Sequence, residues 1–279
     1  MGSTKKRKAD SSVEEAEPKK RPENLRQNPK PNPKYGGDSS AAHLAVSVKE
    51  PQTYEEAIAS PEADEWKDAM RREMESHMIN KTWALVKKKP GEKVLGNRWI
   101  FKLKKNPDGS IEKFKARLVV RGFRQTEGVD YGETFSTVCR YESVRTLMSI
   151  AAAKAMCVRQ FDIKTAFLYG EVKEKNLFMR QPSGFATENG DYVCWIKKSL
   201  YGLKQAPRVW YETFRAVMEK LGLYPSVSDP SVYVGKISGQ TIYIAMFVDD
   251  GLCLSEDPEV VDYVIRKPNG FSGSKVQLY

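Results

Sequence analysis

The segment "IYIAMFVDDGLCLS", residues 242–255, restricts the fold more than any other: seven apolar residues run into two adjacent carboxylates, Asp249 and Asp250, before apolar residues resume. Successive side chains of a strand point to opposite faces, so a plain strand here would bury one acid and expose the other. A tight turn over 248–251 removes the conflict. It predicts a hairpin between strands 243–247 and 252–254, with Gly251 at positive φ and both acids at the tip. Two readings of that tip stay open at this point: an ordinary Asp-Gly turn, or carboxylates met by a hard divalent cation.

Asp162 follows "CVRQF", which reads as a short strand, so the chain carries acids at two strand ends. Were these ends neighbours in one sheet, three carboxylates would converge. Each pair about 4 Å apart would then repel by roughly 4 kcal/mol at an effective dielectric of about 20. Bound cations would relieve that repulsion. Two magnesium ions roughly 3.5 to 4 Å apart would bridge an attacking oxygen and a triphosphate, which is phosphoryl-transfer chemistry. A two-metal nuclease or phosphatase would use the same acids, but such sites add histidines or further carboxylates. Here His43 lies in a polar N-terminal segment and His77 on a remote helical stretch.

Charge is unevenly spread. Residues 1–37 hold ten Lys or Arg against five Asp or Glu, half of the net charge of +10. With its Pro and Asn content and few apolar residues, segment 1–50 reads as disordered. Lys5-Lys6-Arg7-Lys8 and Lys19-Lys20-Arg21 have the spacing of a bipartite import signal, which would place the chain in nucleus and cytoplasm; a solvated basic tail fits them as well. Four widely spaced cysteines without a CxxC pair exclude a zinc site and fit reduced, mostly buried thiols. No apolar run approaches the roughly 20 residues of a membrane span.

From Thr53 the periodicity is helical, through "TYEEAIAS" and then "PEADEWKDAMRREMESHMIN" with Ser60 as N-cap, Pro61 at the first helical position and acids in the first turn. Trp66, Met70, Met74 and His77/Met78 form a stripe, with His77 at its rim. Residues 82–122 read as strands around the turn "NPDG". In "RWIFKLKK", Trp99, Phe101 and Leu103 alternate with Arg98, Lys102 and Lys104, giving one apolar and one basic face. "YESVRTLMSIAAAKAM" is a helix with Leu147, Ile150 and Ala151 inward, and a long amphipathic helix begins near Pro207.

The blocks "ADEWKDAMRREMESHMINKTWALV", "VLGNRWIFKLKKNPDGSIEKFKARLVVRGFRQTEGVDYGETFSTV", "QFDIKTAFLYGEV", "CWIKKSLYGLKQAPRVWY" and "FVDD" resemble, in order, the reverse transcriptase of copia-type long-terminal-repeat retrotransposons. The resemblance covers about residues 50 to 265. It implies an α+β right-hand polymerase with N-terminal helices and fingers over 51–140 and a palm over 141–266. The palm would be an antiparallel sheet with helices packed on one face. It further implies RNA-directed DNA polymerisation on an RNA or DNA template-primer with dNTPs, two Mg2+ ions (or Mn2+), and association with other Pol domains.

The same resemblance assigns roles. Asp162 and Asp249 would be the principal metal ligands and Asp250 an auxiliary one, with Phe247 at the aromatic position of the Y/F-V-D-D signature. Phe167 would stand against the ribose 2′-hydroxyl, although its spacing also suits a core aromatic at a helix start. Lys115 and Arg117 would reach the triphosphate, or else form a solvated basic face. Tyr201 and Gly202 would flank the nucleotide pocket, with Lys204, Gln205 and Arg208 nearer the template backbone. Trp99 and Trp210 read as core. After "EDPEVVDYVIRK" the similarity stops, so residues 267–279 form a divergent tail and the resemblance implies truncation before the thumb and primer grip. A catalytically silent nucleic-acid-binding derivative and a degenerate fragment therefore stay open beside the polymerase.

Overall fold

Thr53 starts the first helix of the computed structural model, which describes residues 48–174, 176–187, 191–266 and 276–278; the N-terminal basic clusters, His43 and most of the tail lie outside them. Its hydroxyl accepts from the Glu56 N–H at 3.2 Å and caps α1 (Tyr54–Ala59). Ser60 closes this helix instead of opening the next, its hydroxyl donating to the Ala57 carbonyl at 2.9 Å. Pro61 explains the difference, because it forces the residue before it into extended backbone, and α2 (Ala63–Ile79) starts after Glu62. The stripe Trp66, Met70 and Met74 is buried as expected. His77 is no rim residue. It is 2% exposed, with Nδ1 3.2 Å from Thr82 Oγ1 and Nε2 3.5 Å from Glu73 Oε1.

Strands β1 (Trp83–Lys87), β2 (Val94–Leu95), β3 (Asn97–Lys105) and β4 (Ile111–Val120) follow. The alternation in β3 sorts as predicted: Trp99, Phe101 and Leu103 are buried, and Arg98, Lys102 and Lys104 are exposed. β3 and β4 pair as an antiparallel ribbon, and α2 lies on its apolar face with Trp66 edge-on to Phe101 and Phe114, at 5.2 and 4.7 Å between ring centres. The remaining elements are α3 (Tyr141–Ala153), β5 (Cys157–Ile163), β6 (Phe178–Met179), β7 (Tyr192–Ile196), α4 (Ala206–Lys220), β8 (Leu223–Pro225), β9 (Val232–Ile237), β10 (Gln240–Phe247), β11 (Asp250–Ser255), α5 (Pro258–Arg266) and β12 (Val276–Leu278).

The chain is therefore of mixed α and β type. A four-stranded sheet runs β1-β7-β6-β2, and a six-stranded one runs β12-β5-β11-β10-β9-β8 with every pairing antiparallel. Helices cover the larger sheet on both faces, not one. Leu147 and Ala151 of α3 pack with Val232, Ala245 and Leu254. Tyr233 must point the other way, and there its ring meets Phe214 of α4 edge-on at 5.4 Å. On that second face Arg159 also meets Asp262 of α5, at 3.6 Å. A sheet buried on both sides explains why 242–247 is apolar without interruption where a one-sided strand would alternate. In the tail, β12 adds as an edge strand to β5, with Gln277 in register with Asp162. Cys139, Cys194 and Cys253 are buried free thiols. No helix of the described residues is long and apolar enough to cross a membrane.

Candidate active site

The acidic hairpin is tighter than its sequence indicates. Phe247 pairs with Asp250, so the loop is only Val248 and Asp249, and Asp250 is already the first residue of β11. Positive φ falls on Val248, at 61°, and not on Gly251. A β-branched residue is costly there. The loop is held from below by Trp210, whose indole N–H donates to the Val248 carbonyl at 2.6 Å. Gly251 serves a different end: a Cβ built on it would lie 2.2 Å from Cζ of Phe161 on β5, so the ring requires the glycine.

That close approach brings the strand ends together. Asp250 stands directly across from Asp162, and the Ile163 N–H donates to the Asp249 carbonyl at 2.9 Å. Asp162 and Asp249 line one cleft of about 600 Å³ with Lys113, Lys115 and Arg117 of β4, Lys164 and Tyr201. Burial pushes the Asp162 carboxyl above the ordinary aspartate value, and the charges of Asp249 and Asp250 push it further, against Lys115 and Lys164. Lys115 is shifted down, first by burial and then by Arg117 and Lys104. Each side of the cleft thus holds crowded like charge, which suits a ligand carrying both signs, such as a polyphosphate with a divalent cation.

Among the described residues no three His, Cys, Asp or Glu side chains form a ready-made cation cage. Magnesium binds through one or two carboxylates and takes its other ligands from water and substrate phosphates. Asp162 and Asp249, with Asp250 beside them, fit that mode, and a cation there would relieve the charge that raises Asp162.

Aromatic residues build the adjoining wall. The Arg117 guanidinium lies over the Tyr201 ring at 4.7 Å, and Phe167, largely buried, meets that ring edge-on at 4.8 Å. Burial raises the Tyr201 phenol to about 12. Gly202 has φ of 94°, and a Cβ there would lie 2.1 Å from the Val120 carbonyl oxygen, so it seats the loop before α4 on the end of β4. Phe247 is 57% exposed.

The trio expected near a template is tied to its own chain. Gln205 is 2% exposed, donating to the Asp130 carbonyl at 3.2 Å and accepting from Gln125 at 3.0 Å, so it presents no surface to a template. Arg208 pairs with Glu212 at 2.7 Å and Glu133 at 3.1 Å, and the Lys204 ammonium donates to the Tyr131 hydroxyl at 3.1 Å. Conversely, α2 supplies a cleft wall that its sequence did not reveal, through Arg72, Glu73 and Ser76. Glu73 accepts from the Leu118 N–H at 3.2 Å, and Arg72 donates to the Phe114 carbonyl at 3.4 Å, bracing β4. Their only sequence signal is a polar edge beside the apolar stripe, which a solvated face shares.

A family profile described as "Reverse transcriptase (RNA-dependent DNA polymerase)" matches residues 80–268, which include every acid and cation of the cleft except Arg72 and Glu73. The chain belongs to the reverse transcriptase family. This reverse transcriptase chain is 39% identical over 240 residues to the retrovirus-related Pol polyprotein from transposon TNT 1-94 of Nicotiana tabacum, covering 85% of the chain and 18% of the relative. It is 41% identical over 234 residues to that from transposon RE1 of Arabidopsis thaliana, covering 83% and 15%. A transposon Ty1-OR Gag-Pol polyprotein of Saccharomyces cerevisiae is 30% identical over 241 residues, covering 82% and 13%. The chain spans less than a fifth of the length of these relatives.

Proposed function

We propose that the chain is the RNA-directed DNA polymerase module of a copia-type retrotransposon, with the β3–β4 ribbon as fingers and the six-stranded sheet as palm. The observation that carries this reading is that Asp162 and Asp249 face Lys115 and Arg117 across one cleft, with Asp250 in register with Asp162. Lys115 holds an incoming triphosphate as a point charge and Arg117 as a planar fork. Tyr201, stiffened by Phe167 and by the stacked Arg117, forms the surface against which the nucleotide sugar sits, and the Trp210 bond to Val248 fixes where Asp249 points. Asp162 and Asp249, with Asp250 as an auxiliary, would hold two magnesium ions, or manganese in their place, which would supply neutralisation of the polyphosphate and activation of the attacking hydroxyl.

The partners on this reading are a template-primer, dNTPs and other Pol domains, which complete the grip on the duplex through backbone contacts spread over a larger surface. The N-terminal basic clusters are proposed as a nuclear import signal for such a complex.

Magnesium-dependent dNTP incorporation on a primed RNA template tests the proposal. The wild-type chain should extend the primer, and Asp249→Asn should lose at least about a thousand-fold in rate, which is ~4 kcal/mol of barrier. Salt-sensitive template binding without incorporation, or incorporation that survives the substitution, would replace this reading with a silent nucleic-acid-binding one.

A further inference from the structure

The β3–β4 ribbon has only two strands, so the outer edge of β4 has no third strand to pair with. Such a ribbon twists strongly and is marginal by itself, yet this one carries Lys115 and Arg117 into the cleft. Two neighbouring residues of α2 stand in for the missing strand. Arg72 donates to the Phe114 carbonyl at 3.4 Å, and Glu73 Oε1 accepts from the Leu118 N–H at 3.2 Å. A peptide unit is planar and contains the Cα atoms on either side of it. The Phe114 carbonyl therefore belongs to the unit that ends at the Lys115 Cα, and the Leu118 N–H to the unit that begins at the Arg117 Cα. Each bond fixes the backbone from which one cleft cation projects.

Glu73 is backed from inside the protein. One turn further along α2, His77 Nε2 lies 3.5 Å from the same Oε1; it is buried and makes no hydrogen bond among the described residues. Across the ring, Nδ1 is 3.2 Å from Thr82 Oγ1, and the ring packs on Trp83 with 4.7 Å between centres. The Thr82 carbonyl in turn accepts from the Lys197 and Lys198 N–H groups, at 2.8 and 3.0 Å, just beyond β7. Of the two neutral tautomers, the one protonated at Nε2 suits both neighbours: it turns an N–H toward the carboxylate and lets Nδ1 accept from the Thr82 hydroxyl. We propose that Glu73 is a positioning residue for polyphosphate capture, acting through the Arg117–Leu118 peptide unit, and that His77 keeps its carboxylate in place. A chain of contacts then runs from the end of β7 through Thr82, His77 and Glu73 to Arg117. This role rests on the reading that Arg117 takes the triphosphate.

Calorimetric binding of inorganic tripolyphosphate, with magnesium, to the full chain tests this without nucleotide incorporation. Charge alone predicts that removing a carboxylate from beside an anion's site tightens binding. Positioning predicts the reverse for Glu73→Leu, a loss of about tenfold. Glu73→Gln, which sheds the charge but keeps an oxygen for the Leu118 N–H, should bind at least as tightly as wild type. His77→Phe, which keeps a ring beside Trp83, should weaken binding about threefold. In an Arg117→Ala chain, itself weakened, Glu73→Leu should cost nothing further, because the group it positions is gone. Glu73→Ser, too short to reach Leu118, replaces the leucine variant if that chain does not fold. Glu73→Leu binding as tightly as wild type while Arg117→Ala weakens it would overturn the role of Glu73 alone, as would an undiminished loss in the Arg117→Ala chain. Equal losses from His77→Phe with and without Glu73 would overturn the part given to His77. Affinity untouched by Arg117→Ala would remove the triphosphate reading and this role with it.

Discussion

Asp229 and Asp162 are the same side chain placed in opposite company. Asp229, 3% exposed, accepts from the Arg140 N–H at 2.9 Å, the Ser143 hydroxyl at 2.6 Å and the Ser231 N–H at 3.0 Å. Burial alone would raise its carboxyl, but these bonds outweigh it and hold the group below the ordinary aspartate range. Asp162 is raised first by burial, and in place of donors it meets Asp249 and Asp250, which raise it further against Lys115 and Lys164. The first carboxylate is consumed by architecture, capping the start of α3 from the segment before β9. The second is left with charge that Lys115 and Lys164 offset only in part, so it remains available to a ligand. A buried acid is thus informative through its donors more than through its depth.

The largest test of this contrast is Asp229→Ala. It should lower unfolding stability by about 3 kcal/mol in urea titrations, since it strands several buried donors; a loss below ~1 kcal/mol would erase the distinction. Ser143→Ala removes one charge-assisted bond and should cost about 1–2 kcal/mol, with a partial return of the Asp229 carboxyl toward its ordinary range. The smallest effect is expected at Asp162, and with the opposite sign. Because its folded value is raised, the folded chain holds that proton more tightly, and the associated stability is lost as pH rises from the ordinary value of 3.8 through the folded one. In metal-free buffer Asp162→Asn should therefore stabilise slightly at pH 7, with the gain shrinking as pH falls toward 3.8. Asp229 behaves conversely, its contribution being present above 3.8 and lost below it. Urea midpoints across pH separate the two, and an Asp162→Asn chain that is destabilised at pH 7 would refute the contrast.

The two regions also differ in how far the sequence disclosed them. The strand ends bearing Asp162 and Asp249 were legible, because period-two patterning and an acidic turn are local signals. Their turn geometry was not. Gly251 looks like the turn residue, and only the Phe161 ring across the sheet shows why it is glycine. Only the family resemblance points Lys115 and Arg117 to the cleft that they line, since their pattern alone also fits a solvated basic face, and residue type does not reveal that Gln205 is held by Gln125 or Arg208 by Glu133, dozens of positions away. The Asp229 cap went unread for the same reason: its donors at 140 and 143 are nearly ninety residues upstream. The second helical layer over the large sheet was foreshadowed by the unbroken apolar run into Phe247, which a sheet wet on one side would not need.

The contact between Gly251 and Phe161 has an evolutionary corollary. A side chain gained at 251 collides with the ring unless position 161 shrinks in the same lineage, and a smaller residue at 161 opens a void beneath the paired acids unless 251 grows. Those two sites should drift together or stay fixed, making the pair a covariation marker for chains that keep their strand ends this close.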